Sequence, residues 1–254
     1  MIADSQLVSY VWESPNYTAM SNKKIDTIVI HHAAGMLTLD QFAYCFRERN
    51  PKSSGGSSTY AIDNNGRVGQ FVPESQRQWC TGSYTIDSHA VTIELANDSL
   101  NPNWHVSDVV INKCIQLCID ICVRNKIKRI NFTGDKTGNL QMHRWWANTL
   151  CPGNYLASMF PYIAEQINKG LKGVDQAEYI YCVQIGAFRV YSNALALKNK
   201  LTALGYTCYL PRSEDDLYRV QVGAFAIPSN ATKLKNELRK CGYSDAYIVK
   251  RKVE

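Results

Sequence analysis

Nowhere in the 254 residues does an apolar stretch approach the length of a membrane-spanning helix, and no run of Lys or Arg appears. The first absence excludes membrane insertion by a helix of this sequence. The second, with a formal charge of +6 and 20% charged residues, excludes the profile of a nucleic-acid binder. The mild basic excess fits ordinary solubility, or attraction to an anionic cell-wall or membrane surface. The start, MIADSQLVSYVWES, lacks a basic segment followed by an apolar core, so the expectation is a protein held in the cytoplasm of the producing cell. Nine cysteines cannot all pair within one chain, and none form a C-x-x-C pair. Reduced thiols are therefore expected, not a disulfide framework.

What is present divides into two halves. Residues 24–31 read as a strand, in which Thr27-Ile28-Val29-Ile30 runs straight into His31-His32. Thr38 followed by Gln41 forms a capping box that opens a helix through about Arg49. The Ser/Gly tract Ser53–Ser58 reads as a loop. A hairpin follows, with Thr59–Ile62 going out, Asp63-Asn64-Asn65-Gly66 turning and Arg67–Val72 returning. His89–Leu95 is a further strand carrying Glu94 near its end. Ser107–Asn125 has a broad apolar stripe and is the strongest helical segment. Its Cys114, Cys118 and Cys122 share one face and read as small hydrophobes of the core. After Cys151-Pro152-Gly153 a helix is expected to about Lys169, interrupted near Pro161. These strands and helices predict a mixed α/β domain over 1–169, a central mixed sheet flanked by helices, with a Gly-rich linker over 170–177.

Beyond the linker the sequence repeats itself. Val183-Gln184-Ile185-Gly186-Ala187-Phe188 recurs as Val220-Gln221-Val222-Gly223-Ala224-Phe225, and Asn193-Ala194, Leu201 and Gly205-Tyr206 recur as Asn230-Ala231, Leu238 and Gly242-Tyr243. Each copy reads strand, helix, strand. Two copies predict a βαββαβ α+β domain of ferredoxin-like form over 178–254.

Three residues could hold a metal. His31 at a strand end, His143 and Cys151 offer two nitrogens and a sulfur, which suit tetrahedral zinc with its fourth position open to water, the arrangement of a hydrolase. Cys151 alone reads equally as a buried thiol before a turn. His32 points to the opposite strand face from His31 and reads as core or as a support behind the ligands. Glu94, in an apolar strand, is a candidate base for a zinc-activated water, or a strand-end carboxylate reaching solvent. Tyr60 could donate to a developing oxyanion, or simply pack. Trp145 and Trp146 read as a substrate groove or as core. His89 and His105 have no partner at useful spacing.

The motifs IVIHHAAG, STYAIDNNGRVGQF, HAVTIELAND and HRWWANTLCPG resemble the zinc-dependent type 2 N-acetylmuramoyl-L-alanine amidases, the family shared by phage lysozyme-like amidases and peptidoglycan recognition proteins. The resemblance covers roughly residues 20–168. It implies a Zn2+ cofactor on His31, His143 and Cys151, with Tyr60, Glu94 and Thr149 as catalytic residues. Thr149 stands where several phage members have Lys, so it would offer a neutral hydrogen bond in place of a charge. The C-terminal repeat resembles a SPOR (sporulation-related) domain, which implies binding to peptidoglycan glycan strands stripped of stem peptides. Together they imply an endolysin-like enzyme that cuts the amide between the lactyl group of N-acetylmuramic acid and L-Ala and lyses the bacterial cell wall. A peptidoglycan-binding protein without catalysis is the alternative. The partner in either case is peptidoglycan.

Overall fold

The computed structural model describes residues 3–47, 55–175, 179–212, 215–226 and 228–252. The chain divides into two compact units, Met1–Leu171 and Lys172–Glu254.

In the first unit the elements run β1 (Val8–Val11), β2 (Tyr17–Thr18), β3 (Thr27–His32), α1 (Leu39–Cys45), β4 (Tyr60–Ile62), β5 (Val68–Gln70), β6 (Arg77–Gln78), α2 (Tyr84–Asp87), β7 (Ala90–Leu95), α3 (Asp108–Arg124), β8 (Leu140–Met142) and α4 (Asn154–Asp175). Six strands form one mixed sheet in the order β1-β5-β4-β7-β3-β8, and β2 pairs with β6 apart from it. The central strands β4, β7, β3 and β8 are mutually parallel, and β4–β5 is the antiparallel hairpin read from the sequence. Every residue of β3 is buried, as an interior parallel strand covered on both faces must be.

Strand alternation sorts the side chains. Ile28, Ile30, Tyr60, Ile62, Val91, Ile93 and Leu95 pack on one face against the stripes of α3 and α4. The opposite face carries Ala61 and Ala96 beneath α1, and Val29 and Ala90 beside Ile86 and Trp146. The Thr38–Gln41 capping box is formed in both directions, and the helix it opens ends at Cys45. A helix to about Arg49 is expected from the sequence, but Phe46 is already its C-cap and Arg47 is not helical; residues 48 and 49 lie outside the described residues, as do Ser53 and Ser54 of the loop. Ser107 caps α3 by accepting from the Val110 amide, a bond worth about 1 kcal/mol. Cys114, Cys118 and Cys122 are fully buried in the core, as expected.

Two expectations change at α4. The helix is continuous through Pro161 and runs on to Asp175, so it does not stop near Lys169. Pro161 lies on the exposed face, while Leu156, Phe160, Ile163, Ala164, Ile167 and Leu171 bury the other face without a break. Pro161 removes one intrahelical bond, and the packing of the unbroken buried face outweighs that loss. Gly170 belongs to the same packed surface: a Cβ there would sit 2.3 Å from Ile119 Cδ1, so the missing side chain lets α4 approach α3 closely. Most of the stretch expected as linker is thus helical, and residues 176 and 177 lie outside the described residues.

The second unit contains β9 (Tyr179–Phe188), α5 (Tyr191–Ala203), β10 (Cys208–Tyr209), β11 (Tyr218–Phe225), α6 (Pro228–Lys240) and β12 (Tyr247–Lys252). All its strand pairs are antiparallel, in the order β10-β11-β9-β12, which is the ferredoxin-like βαββαβ arrangement. The repeated residues are core: Ala194 with Ala231 and Leu201 with Leu238 sit under Val183, Val220 and Val222. The recurring Gly-Ala-Phe has a steric reason. A Cβ on Gly186 would lie 2.8 Å from the Phe188 ring and one on Gly223 2.4 Å from the Phe225 ring, so each Phe folds across its own glycine.

Candidate active site

The pairing of three parallel strands builds the site. β3 and β7 align His31 with Glu94, so both side chains emerge side by side on the face away from α3 and α4. β3 and β8 align Ile30 with Met142, and the chain then turns into a single 3₁₀ turn, His143–Trp145, which delivers His143 next to His31. Their ring centroids are 4.7 Å apart. Cys151 comes from the loop that enters α4, and its Sγ lies 3.7 Å from His31 Nδ1.

Ligand atoms of His31, His143 and Cys151 all lie within 4.8 Å of one another. A tetrahedral zinc with Zn–N near 2.0 Å and Zn–S near 2.3 Å separates its nitrogen and sulfur ligands by about 3.5 Å. The Sγ–Nδ1 spacing fits that geometry. Charge agrees as well. Burial, and then the neighbouring His143 and His32, hold His31 well below the usual imidazole range, which leaves the neutral ring that a metal requires. Burial also lowers His143, opposed by a hydrogen bond that the ring gives to the backbone of Thr81. Burial and then Glu94 push the Cys151 thiol up, and a bound dication is what reverses that direction and yields a thiolate.

Glu94 completes the cluster. Its Oε1 is 3.7 Å from His31 Nδ1, and 18% of the side chain is accessible. Its Oε2 is buried and has no hydrogen-bond partner among the described residues. Desolvation pushes the carboxyl up to about 8, against a hydrogen bond from Cys80. A nearby dication would draw it back toward the ionised form. A carboxyl poised near neutrality with one oxygen free is suited to carrying a proton.

Tyr60 is not part of this cluster. β4 pairs with β7 so that Ala61 is level with Glu94 and Tyr60 is level with Ile93, which places the tyrosine on the opposite face of the sheet. There it is fully buried in the core, and its hydroxyl donates to Glu74 Oε1 at 2.8 Å. Glu74 in turn receives both terminal nitrogens of Arg124. Tyr60 thus anchors the sheet to α3, and the catalytic role expected for it is corrected. Thr149 lies on the ligand loop, where its Oγ1 accepts the amide of Cys151 at 3.2 Å.

Three residues with no sequence signal support the site. Cys80 places its sulfur 3.4 Å from His31 Nε2. Asp87 accepts the amides of Cys80 and Thr81 and so holds that segment against the histidines. Arg144 donates to the carbonyls of Leu150, Cys151 and Gly153, clamping the ligand loop. None sits in a spacing that marks it from the sequence. His32 supports the site from behind: its Nδ1 meets Asn97 Nδ2 at 3.3 Å and its ring stands edge-on to Trp104. The tryptophans pack. Trp145 stacks on Phe132, and Trp146 donates to Gln141 and lies under Lys136. His89 and His105 pair with Asp26 and Asp98 near the surface.

Residues 21–154 match the N-acetylmuramoyl-L-alanine amidase family model, and residues 177–250 match that of the SPOR domain. No curated protein matches the chain. Among solved structures, the peptidoglycan binding domain of the B. subtilis cell wall lytic enzyme CwlC is 37% identical over 29% of this chain and 90% of its own, with a TM-score of 0.27. The N-acetylmuramoyl-L-alanine amidase LysC from Clostridium intestinale URNW is 20% identical over 65% of this chain and 99% of its own, with a TM-score of 0.43. PlyL is 14% identical over 62% of this chain and 89% of its own, with a TM-score of 0.45. With more than half of its length matched and a histidine–histidine–cysteine group assembled on the sheet, the chain belongs to the N-acetylmuramoyl-L-alanine amidase family and carries a C-terminal SPOR domain.

Proposed function

We propose that His31, His143 and Cys151 hold zinc and that Glu94 is the acid–base residue with which this peptidoglycan amidase cleaves the bond between the lactyl group of N-acetylmuramic acid and L-Ala. The observation that carries the reading is Glu94 Oε2, a buried oxygen with no partner among the described residues, beside three converging side chains able to hold a metal. When bound, zinc supplies a Lewis acid and makes water acidic enough to lose a proton near neutral pH. Glu94 takes that proton on its free oxygen and returns it to the departing amide nitrogen, so that L-Ala leaves as an amine. His31 and His143 stay neutral because they are desolvated. Thr149 accepts the Cys151 amide and keeps its own hydroxyl proton to donate to the substrate carbonyl oxygen.

For the second unit the reading is a glycan strand laid across the sheet face opposite α5 and α6. Gln184 and Gln221 alternate with core valines and so lie on that side of the sheet, but both are buried, so the exposed Tyr247 and Arg251 that they hold are the groups left to meet the glycan. Gln184 donates to the exposed Tyr247 hydroxyl at 2.6 Å, and Arg251 donates to Gln221. A phenol and a guanidinium held in place by buried amides suit the hydroxyl and amide groups of a polysaccharide.

Mass spectrometry of peptidoglycan digested by the zinc-loaded protein tests the catalytic reading. Free stem peptides beginning at L-Ala and intact glycan strands are expected, and Glu94→Gln should lower their release by about a hundredfold or more while still binding zinc. New reducing sugar ends would mean a glycosidase. Near-normal release by Glu94→Gln removes Glu94 from the reaction. No cleavage of any wall type by the zinc-loaded protein leaves binding without catalysis.

A further inference from the structure

We propose that Cys80 is a positioning residue of the metal site: its sulfur accepts the Nε2–H of His31 and fixes the ring so that Nδ1 faces the metal. The proposal rests on the zinc reading above. The two nitrogens of His31 look in different directions. Nδ1 faces Cys151 Sγ and Glu94 Oε1, each at 3.7 Å. Nε2 faces Cys80 Sγ at 3.4 Å. A neutral imidazole carries one N–H, and if Nδ1 gives its lone pair to a metal the proton resides on Nε2. His31 is 1% exposed, so that N–H needs an acceptor within the protein, and the sulfur of Cys80 is the partner described for it.

Cys80 is itself fixed in place. Its amide donates to Asp87 Oδ2, and the amide of Thr81 donates to the same carboxylate. Its S–H is left to reach Glu94 Oε1 at 3.9 Å. One thiol thereby links the imidazole to the proposed acid–base carboxyl, the place usually taken behind a metal-bound histidine by a carboxylate or a backbone carbonyl. The rival is direct ligation, since His31, Cys80 and Glu94 also lie within 4.8 Å of one another.

The test compares the full-length protein with Cys80→Ala and Cys80→Ser. Zinc dissociation constants come from competition with a chromogenic chelator, metal-free melting temperatures are recorded, and the Co2+-loaded proteins are examined by absorption. Cys80→Ala should bind zinc about tenfold more weakly or worse. Cys80→Ser, whose hydroxyl accepts the same N–H, should recover most of that loss. The thiolate-to-cobalt charge-transfer band should be the same in all three, because Cys151 alone supplies it. Unchanged zinc affinity in Cys80→Ala overturns the proposal, and so does a weakened charge-transfer band, which would make Cys80 a ligand. Equal losses in both variants with lowered metal-free melting would assign Cys80 to packing and overturn it too. If the unaltered protein binds no zinc, it is the zinc reading that fails, and this proposal falls with it.

Discussion

Tyr60 and Glu94 sit on neighbouring strands one register step apart, and that single step sends them to opposite faces of the sheet. The consequence is testable on Tyr60 alone. Tyr60→Phe removes the hydroxyl that donates to Glu74 and leaves the Arg124 pair in place. Stability should fall by about 1–2 kcal/mol in urea denaturation, with turnover unchanged. A hundredfold loss of turnover at unchanged stability would return the tyrosine to the chemistry. The ligand-type residues were legible in the sequence because His-His at a strand end and His to Cys before Pro-Gly are chemically marked. The face of Tyr60 was not, because a tyrosine at the start of a three-residue hairpin strand fits either side until the partner strand fixes the register. Cys80 was illegible for a related reason: nothing in its local sequence tells a thiol that meets a histidine 49 positions away from one that merely packs.

At the scale of elements, the loop between β8 and α4 carries two of the proposed ligands yet has little regular structure of its own. Arg144 holds it, donating to the Leu150 carbonyl at 3.0 Å and the Gly153 carbonyl at 2.9 Å, with a longer bond to Cys151. Arg144→Ala should therefore weaken zinc binding about tenfold and lower metal-free stability by about 2 kcal/mol. Arg144→Lys should restore only part of both, since one ammonium cannot reproduce the guanidinium fork. Chelator competition and melting curves measure the two effects, and unchanged zinc affinity in Arg144→Ala would show that the loop keeps its form without the clamp. Long amphipathic elements were readable from their periodicity, and the segment Ser107–Asn125 read as helical is α3 with its two caps. The exceptions are instructive. α4 passes through Pro161 because its buried face is continuous, a tertiary effect that local propensity does not contain. The short strands β1, β2 and β6 owe their form to pairing with distant segments, so their sequences show little alternation to read.

For the whole molecule, the two cores share no residue among the described residues, and each contains the apolar stripes of its own helices. The repeat made the second core legible, because the positions it preserves are those that are buried. Separate cores imply separable activities. Residues 1–175 alone should release stem peptides from soluble peptidoglycan fragments at the rate of the full chain, since every group of the proposed site lies within them. Residues 176–254 alone should sediment with sacculi stripped of stem peptides, and residues 1–175 should not. The two properties are chemically coupled even so: the first unit produces stripped glycan, and the second is proposed to bind it. On intact walls the full chain should therefore stay longer on regions it has already cut, and its progress curve should bend upward relative to that of residues 1–175 at equal concentration. Coincident progress curves on intact walls, with sedimentation of residues 176–254 confirmed, would mean that glycan binding does not serve catalysis.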